Sequence, residues 1–229
     1  MKNKKTLLYV SVIVGFIFSA FGLYTLVSGP QELPKMTVAE KKARFKNLII
    51  PAVNDVYAEL NNKYETVLAE INLEPNSENL AKLRKEYRVQ DNQALLMALK
   101  PHPRSIAIAQ AAMESSWATS RFYREANNIF GIWSFNQDEP RIAAGEMRGD
   151  DTIWVKKYSS LKASIKDYFR TLARGAAFKE FRALKMETED PFELVKQLDS
   201  YSEQGDVYGE ELTSIIKYNQ LTQYDTANP

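Results

Sequence analysis

The stretch QAAMESSWATSRFYREANNIFGIW, residues 110–133, decides how this chain is read. It opens in a helical rhythm. At 100° per residue, Ile106, Ala109, Met113 and Trp117 fall on one stripe, so a helix starting near Arg104 or Ser105 is expected to bury that face. Pro101 and Pro103 mark the break before it. By the same geometry Glu114 lies about 80° round from Ile106, on the border of the apolar face and beside Gln110. A carboxyl at such a border is partly desolvated, which disfavours its charged form and raises its pKa. The stretch closes on Asn127, Asn128, Ile129, Phe130 and Gly131, a polar-then-aromatic run with turn chemistry.

Composition limits what else the chain can do. Its 229 residues, 26% charged and 45% hydrophobic, fit one globular domain with appendages. A formal net charge of +1 creates no field that would draw nucleic acid. With no cysteine, disulfides, thiol nucleophiles and an N-terminal lipid anchor on cysteine are excluded. The single histidine, His102, cannot build a multi-histidine zinc site, and any serine–histidine pair would have to use it. Carboxylate, tyrosine and amide chemistry remain. No metal or organic cofactor is implied.

Working outward, residues 7–27 are 21 positions without a charge. At about 1.5 Å per residue they span a bilayer core of about 30 Å, which favours a retained transmembrane anchor over a cleaved signal peptide. Residues 1–6 then form a basic tip. Gly29, Pro30 and Pro34 suggest a linker. Apolar spacings of three and four predict a helix over 37–73, with a kink at Pro51, and a second over 77–98. Residues 28–100 are thus expected to be a linker and helical stalk or collar, or simply packed helices, ahead of a separate domain over 101–229. Gly145, Gly149 and β-prone Thr152 to Val155 predict a small hairpin lobe within 131–158. Tyr158-Ser159-Ser160 then starts a helix that buries Leu161, Ile165, Tyr168, Phe169 and Leu172, and two more helices are expected near 192–198 and 208–218.

Glu114-Ser115-Ser116-Trp117, followed by Asn127-Asn128-Ile129-Phe130-Gly131-Ile132-Trp133, resembles the catalytic motif of bacterial peptidoglycan glucosaminidases, glycoside hydrolase family 73. There a Glu-Ser-Gly-Trp-Gly-like helix runs into Asn-Asn-Leu-Phe-Gly-Ile. Gly-Ile-Trp and the later 141–145 segment are most similar to the Bax-like group. Tyr158 to Tyr168 resembles the family's Tyr-x-Ser-x-x-x-Ser-x-x-Asp-Tyr element, and Tyr201 to Leu212 its closing tyrosine segment with one extra residue. The chain departs from the pattern at Ser116 and Ala118, where glycines are usual, and in the hairpin.

The resemblance implies a mainly α (α+β), lysozyme-like helical domain with a small β-hairpin lobe and a cleft between them. It implies hydrolysis of the β-1,4 bond on the reducing side of N-acetylglucosamine in peptidoglycan glycan strands. Such hydrolysis uses a protonated carboxyl on the leaving oxygen and a second group that handles water or the cationic transition state. Carried over, Glu114 is the acid and Tyr208 lines the site beside it. Glu146, 32 residues after Glu114, is the candidate second carboxylate, with Glu139, Asp150 and Asp151 as competitors. Asn127, Asn128, Phe130, Gly131 and Tyr201 are expected at the substrate site, although the asparagines equally suit a turn, Phe130 suits floor packing and Asp167 suits pairing.

Lys2, Lys4 and Lys5 are balanced by Lys35, Lys41, Lys42, Arg44 and Lys46, so charge alone leaves the membrane orientation open. The resemblance decides it: a single pass through a bacterial inner membrane with the catalytic domain in the periplasm. Two rival readings are a lytic transglycosylase, whose Gly-Leu-Met-Gln element is replaced here by Phe130-Gly131-Ile132-Trp133, and a catalytically silent, membrane-tethered wall-binding module. No protein partner can be named.

Overall fold

Thr37 starts the fold with a reciprocal cap: its hydroxyl accepts from the Glu40 backbone while the Glu40 carboxylate accepts from the Thr37 N–H at 2.8 Å. The computed structural model describes residues 33–148, 151–201 and 206–226. Chain contacts divide it into Met1–Lys35 and Met36–Pro229, and the fold below is that of the second unit. The anchor expected over 7–27 lies outside the described residues. Among those described, no helix is long and apolar enough to cross a membrane.

Helix α1, Val38–Leu73, continues through Pro51. Its Phe45, Ile49, Val53 and Val56 are buried in one core with Ile106, Ile108, Phe169, Leu212 and Ile216. Full burial of such a side chain contributes roughly 1.5–3 kcal/mol, so this half of α1 is held in the body of the unit instead of standing clear as a stalk. The expected second helix is two. α2, Glu78–Tyr87, ends where Arg88 turns left-handed (φ 59), and α3, Asn92–Leu99, begins on an Asp91 cap. Short capped helices meet the rule that Asp is a strong N-cap, a signal at Asp91 that apolar spacing alone passes over.

α4, Arg104–Glu114, starts where expected but is buried on every side from Arg104 to Ala112, so it has no exposed face for Glu114 to border. Glu114 owes its half-burial to being the last residue of a central helix. The helix also stops three residues short of Trp117. Ser115 ends it, accepting from the Ala118 N–H at 2.7 Å, and Ser116, Trp117 and Ala118 all take positive φ (50°, 64° and 60°). Trp117 therefore leaves the helical stripe and packs edge-on against Phe45, centroids 5.1 Å apart. The left-handed run explains why glycine suits 116 and 118. A non-glycine residue there costs about 1–2 kcal/mol, while glycine gives back about 0.5–1 through unfolded-state freedom. Ser116→Gly is expected to stabilise the protein by about 0.5–1 kcal/mol. A urea midpoint lower than that of the parent would contradict the strain argument.

α5, Arg121–Ala126, leads to the hairpin of β1, Arg141–Arg148, and β2, Asp151–Lys156, which pair antiparallel. The register is regular at Ile142–Val155 and Ala143–Trp154, then shifts before Met147–Thr152. Gly145, at φ +86, lies in that bulge. Arg121 clamps its approach, donating from one guanidinium nitrogen to the carbonyls of Ala143 (2.6 Å) and Ala144 (2.9 Å).

α6, Leu161–Arg174, starts on the Ser160 cap and buries Ile165, Tyr168, Phe169 and Leu172 as its spacing predicts. α7, Lys179–Leu184, was not legible from periodicity because it is only six residues long. The helix expected at 192–198 is a short α8, Pro191–Leu194, running into a tighter turn. α9, Asp206–Tyr218, agrees with expectation, and α10, Gln223–Thr226, closes the described chain.

Candidate active site

Three segments converge on Glu114. α9 brings Tyr208, which is buried and donates its hydroxyl proton to Glu114 Oε1 at 2.8 Å. Gln110, one turn earlier on α4, places its amide nitrogen 2.8 Å from the same hydroxyl. The loop after α5 brings Gly131. Its φ of +64 is one that L side chains resist, and a Cβ there would stand 3.9 Å from Glu114 Oε2. Glycine therefore keeps the approach to the free carboxyl oxygen clear of any longer side chain.

Burial pushes the Glu114 carboxyl above its usual range, and the hydrogen bond from Tyr208 acts against that shift. Tyr208 itself is raised by burial and by the Glu114 charge, so it remains a neutral phenol. The pair can hold a proton on the carboxyl at a pH where an ordinary glutamate has lost it, as a general acid requires. Tyr201 stacks on Tyr208, centroids 5.7 Å apart and planes 18° from parallel. Phe130 is buried and stacked on Tyr168 at 4.0 Å, which makes it floor packing. An open groove lies between the C-terminal end of α4 and α9, lined by Lys41, Met113, Ser116, Trp117, Val207 and Glu211, and neither Glu114 nor Tyr208 is among its lining residues.

The asparagines serve the loop. Asn127 ends α5 in the left-handed region and donates to the Tyr158 carbonyl at 3.0 Å. Asn128 is buried and fully engaged: its amide donates to the carbonyls of Ile132 and Lys156, both at 2.9 Å, and its oxygen accepts from the Ile132 N–H at 3.0 Å. In this arrangement Asn128 ties the hairpin to the acid-bearing body, and both hydrogens of its buried amide are already given to the protein. Asp167 pairs, as expected, accepting from Lys156 (2.9 Å) and Tyr158 (2.7 Å).

Of the carboxylates weighed as partner to Glu114, Glu139 is occupied. It accepts from the Ser134 hydroxyl at 2.7 Å and lies 3.8 Å from Lys156. The Glu146 backbone lies in the β1 bulge, after Gly145, and its side chain lies outside what is described. The same holds for the Asp151 side chain and for all of Asp150. Gln110 and Tyr168 are the members of the site that sequence reading did not single out. Gln110 had a signal, since it sits four residues before Glu114 on one helix face. Among the described residues no cluster of histidine and carboxylate side chains could hold a metal.

The family model described as mannosyl-glycoprotein endo-beta-N-acetylglucosaminidase matches residues 90–221. The chain belongs to the glucosaminidase family. The matched span covers α4, the loop after α5 and α9, the three segments that meet at Glu114, and the hairpin between them. Exo-glucosaminidase LytG of Bacillus subtilis is 28% identical over 136 residues, 55% of this chain and 47% of that protein. Protein bax of Escherichia coli is 27% identical over 124 residues, 52% of this chain and 43% of that protein. The chain thus spans less than half the length of these relatives. The catalytic domain of the autolysin Auto from Listeria monocytogenes shares the fold, with a TM-score of 0.54 at 19% identity over 90% of this chain and 97% of that one. The lysozyme-like helical body with a two-stranded lobe, expected from the resemblance, is the fold of this family member.

Proposed function

We propose that this glucosaminidase hydrolyses peptidoglycan, cutting the β-1,4 bond on the reducing side of N-acetylglucosamine. The observation that carries the reading is the half-buried Glu114 carboxyl, raised by burial, bonded to Tyr208 and faced by Gly131. Glu114 protonates the leaving oxygen as the glycosidic bond breaks. Glu146, carried on the hairpin lobe, supplies the second function as base or nucleophile. The substrate's own 2-acetamido group is the alternative source of that second function. Residues 7–27 anchor the chain in the inner membrane with the catalytic unit in the periplasm, where the glycan strands are.

Mass spectrometry of the products from purified sacculi tests the reading. The expected fragments carry reducing N-acetylglucosamine ends. Anhydromuramic ends would make the protein a transglycosylase, and intact sacculi would favour a binding module. Release from strand ends alone would make the action exo, the mode named for the Bacillus subtilis relative.

A further inference from the structure

His102 lies 1% exposed at the far end of a buried polar chain whose other end is Glu114. Its Nε2 is 3.1 Å from the Tyr168 hydroxyl, which is 2.5 Å from Gln110 Oε1. The Gln110 amide nitrogen is 2.8 Å from the Tyr208 hydroxyl, and that hydroxyl is 2.8 Å from Glu114 Oε1. Four contacts therefore join the chain's single histidine to its candidate acid through three neutral groups.

Proton counting gives this chain a direction. His102 Nδ1 lies 2.9 Å from the Pro103 carbonyl, which can only accept, so Nδ1 carries the hydrogen. The ring is neutral, its pKa pushed down to about 3 by burial, with the Lys185 ammonium acting in the same direction. Nε2 is then an acceptor and needs a donor. The Tyr168 hydroxyl is the group within reach, and it has one hydrogen. With Gln110 Oε1 turned to Tyr168, that hydrogen has two claimants and one buried acceptor is left without a partner. A half-turn of the Gln110 amide removes the conflict, because its two ends are nearly the same shape. Gln110 then donates to Tyr168, Tyr208 donates to Gln110, and the Tyr208 oxygen is left to accept. Only the protonated form of Glu114 can supply that bond.

We propose that His102 is a positioning residue for the acid: by fixing the direction of the chain through Tyr168, Gln110 and Tyr208, it holds Glu114 in its proton-donating form. The surroundings leave the ring little freedom to do otherwise. Phe169 stacks on it at 4.5 Å, Phe181 lies edge-on at 5.6 Å, and the Lys185 ammonium is bonded to the Lys100 carbonyl. Around Glu114 the titratable neighbours are Tyr168, Tyr201 and Tyr208, all held neutral by burial. The proposal rests on Glu114 being the acid, so its test does not depend on turnover.

The test is a carboxyl NMR titration of Glu114 in the ligand-free, full-length protein, with the signal assigned by its loss in Glu114→Gln. Tyr168→Phe keeps the ring stacked on Phe130 and deletes only the hydroxyl link. It frees Tyr208 to donate to the carboxylate, so the Glu114 midpoint is expected to fall by about one pH unit, a tenfold change in its protonation constant. His102→Phe is expected to produce the same fall, His102→Gln, which restores an acceptor near Nε2, to reverse most of it, and the double Tyr168→Phe, His102→Phe variant to fall no further. The basic limb of kcat/KM should move with the midpoint. An unchanged or raised midpoint in Tyr168→Phe overturns the proposal even if His102→Phe does not fold. A shifted midpoint in a protein that cleaves no glycan upholds the chain and refutes the functional reading instead.

Discussion

Glu114→Gln loses about 10²–10⁴-fold in the rate of peptidoglycan hydrolysis, the usual cost of removing one general acid. The substitution keeps size, and an amide can bond the Tyr208 hydroxyl as donor or acceptor, so the fold is expected to be intact and the loss to appear in kcat. What disappears is the proton that burial holds on the carboxyl. A variant clearing sacculi at near the parental rate would remove Glu114 from the mechanism. The same assay ranks the second carboxylate. Glu146→Gln is expected to be the most damaging of the amide substitutions at Glu139, Glu146, Asp150 and Asp151, since Glu139 is already held by Ser134 and Lys156. If all four stay active, the substrate's acetamido group takes the role.

Asn128→Ala is expected to cost about 3 kcal/mol of stability. It strips three hydrogen bonds at once and leaves the Ile132 N–H and the Lys156 carbonyl without that partner in a half-buried place, each worth about 1–3 kcal/mol before water or relaxation helps, while the Ile132 carbonyl keeps the Lys156 N–H at 3.0 Å. The damage should be uneven. Two of these bonds shape the loop after α5 and the third joins it to β2 at the Lys156 carbonyl, so hydrogen-exchange protection is expected to fall first in the hairpin and last in α4. Turnover should fall with it, because the lobe is no longer fixed against the acid. A urea midpoint unchanged from the parent would show that the lobe is held by other contacts, of which the Arg121 clamp is the strongest candidate.

Long periodic segments were legible in the sequence. α1 and α6 bury the faces their spacings predict, because burial on one side is what writes a period into a helix, and α9 forms where a helix was expected. α4 has a period but is buried all round, so its stripe located the helix correctly while giving the wrong reason for the position of Glu114. Short elements left no such trace. The break at Arg88, the left-handed run at Ser116 to Ala118 and α7 depend on backbone choices within a few residues. At the site, Glu114, Gly131 and Tyr208 were legible through the family motif. Gln110 could have been found from its helix face, but Tyr168 and His102 join the site through hydrogen bonds spanning 58 and 66 residues, and one chain's pattern carries no sign of such pairings.

The central claim is that Glu114 supplies a proton to the leaving oxygen, and leaving-group dependence measures that directly. The rate ratio of parent to Glu114→Gln should be determined on two substrates with the same sugars, a natural glycan strand and a dinitrophenyl glycoside whose leaving group departs without protonation. The account predicts a large ratio on the glycan, about 10²–10⁴, that collapses towards unity on the activated substrate while bond cleavage limits the rate. An equal defect on both would contradict it, and would make Glu114 a residue that holds the site together without donating the proton.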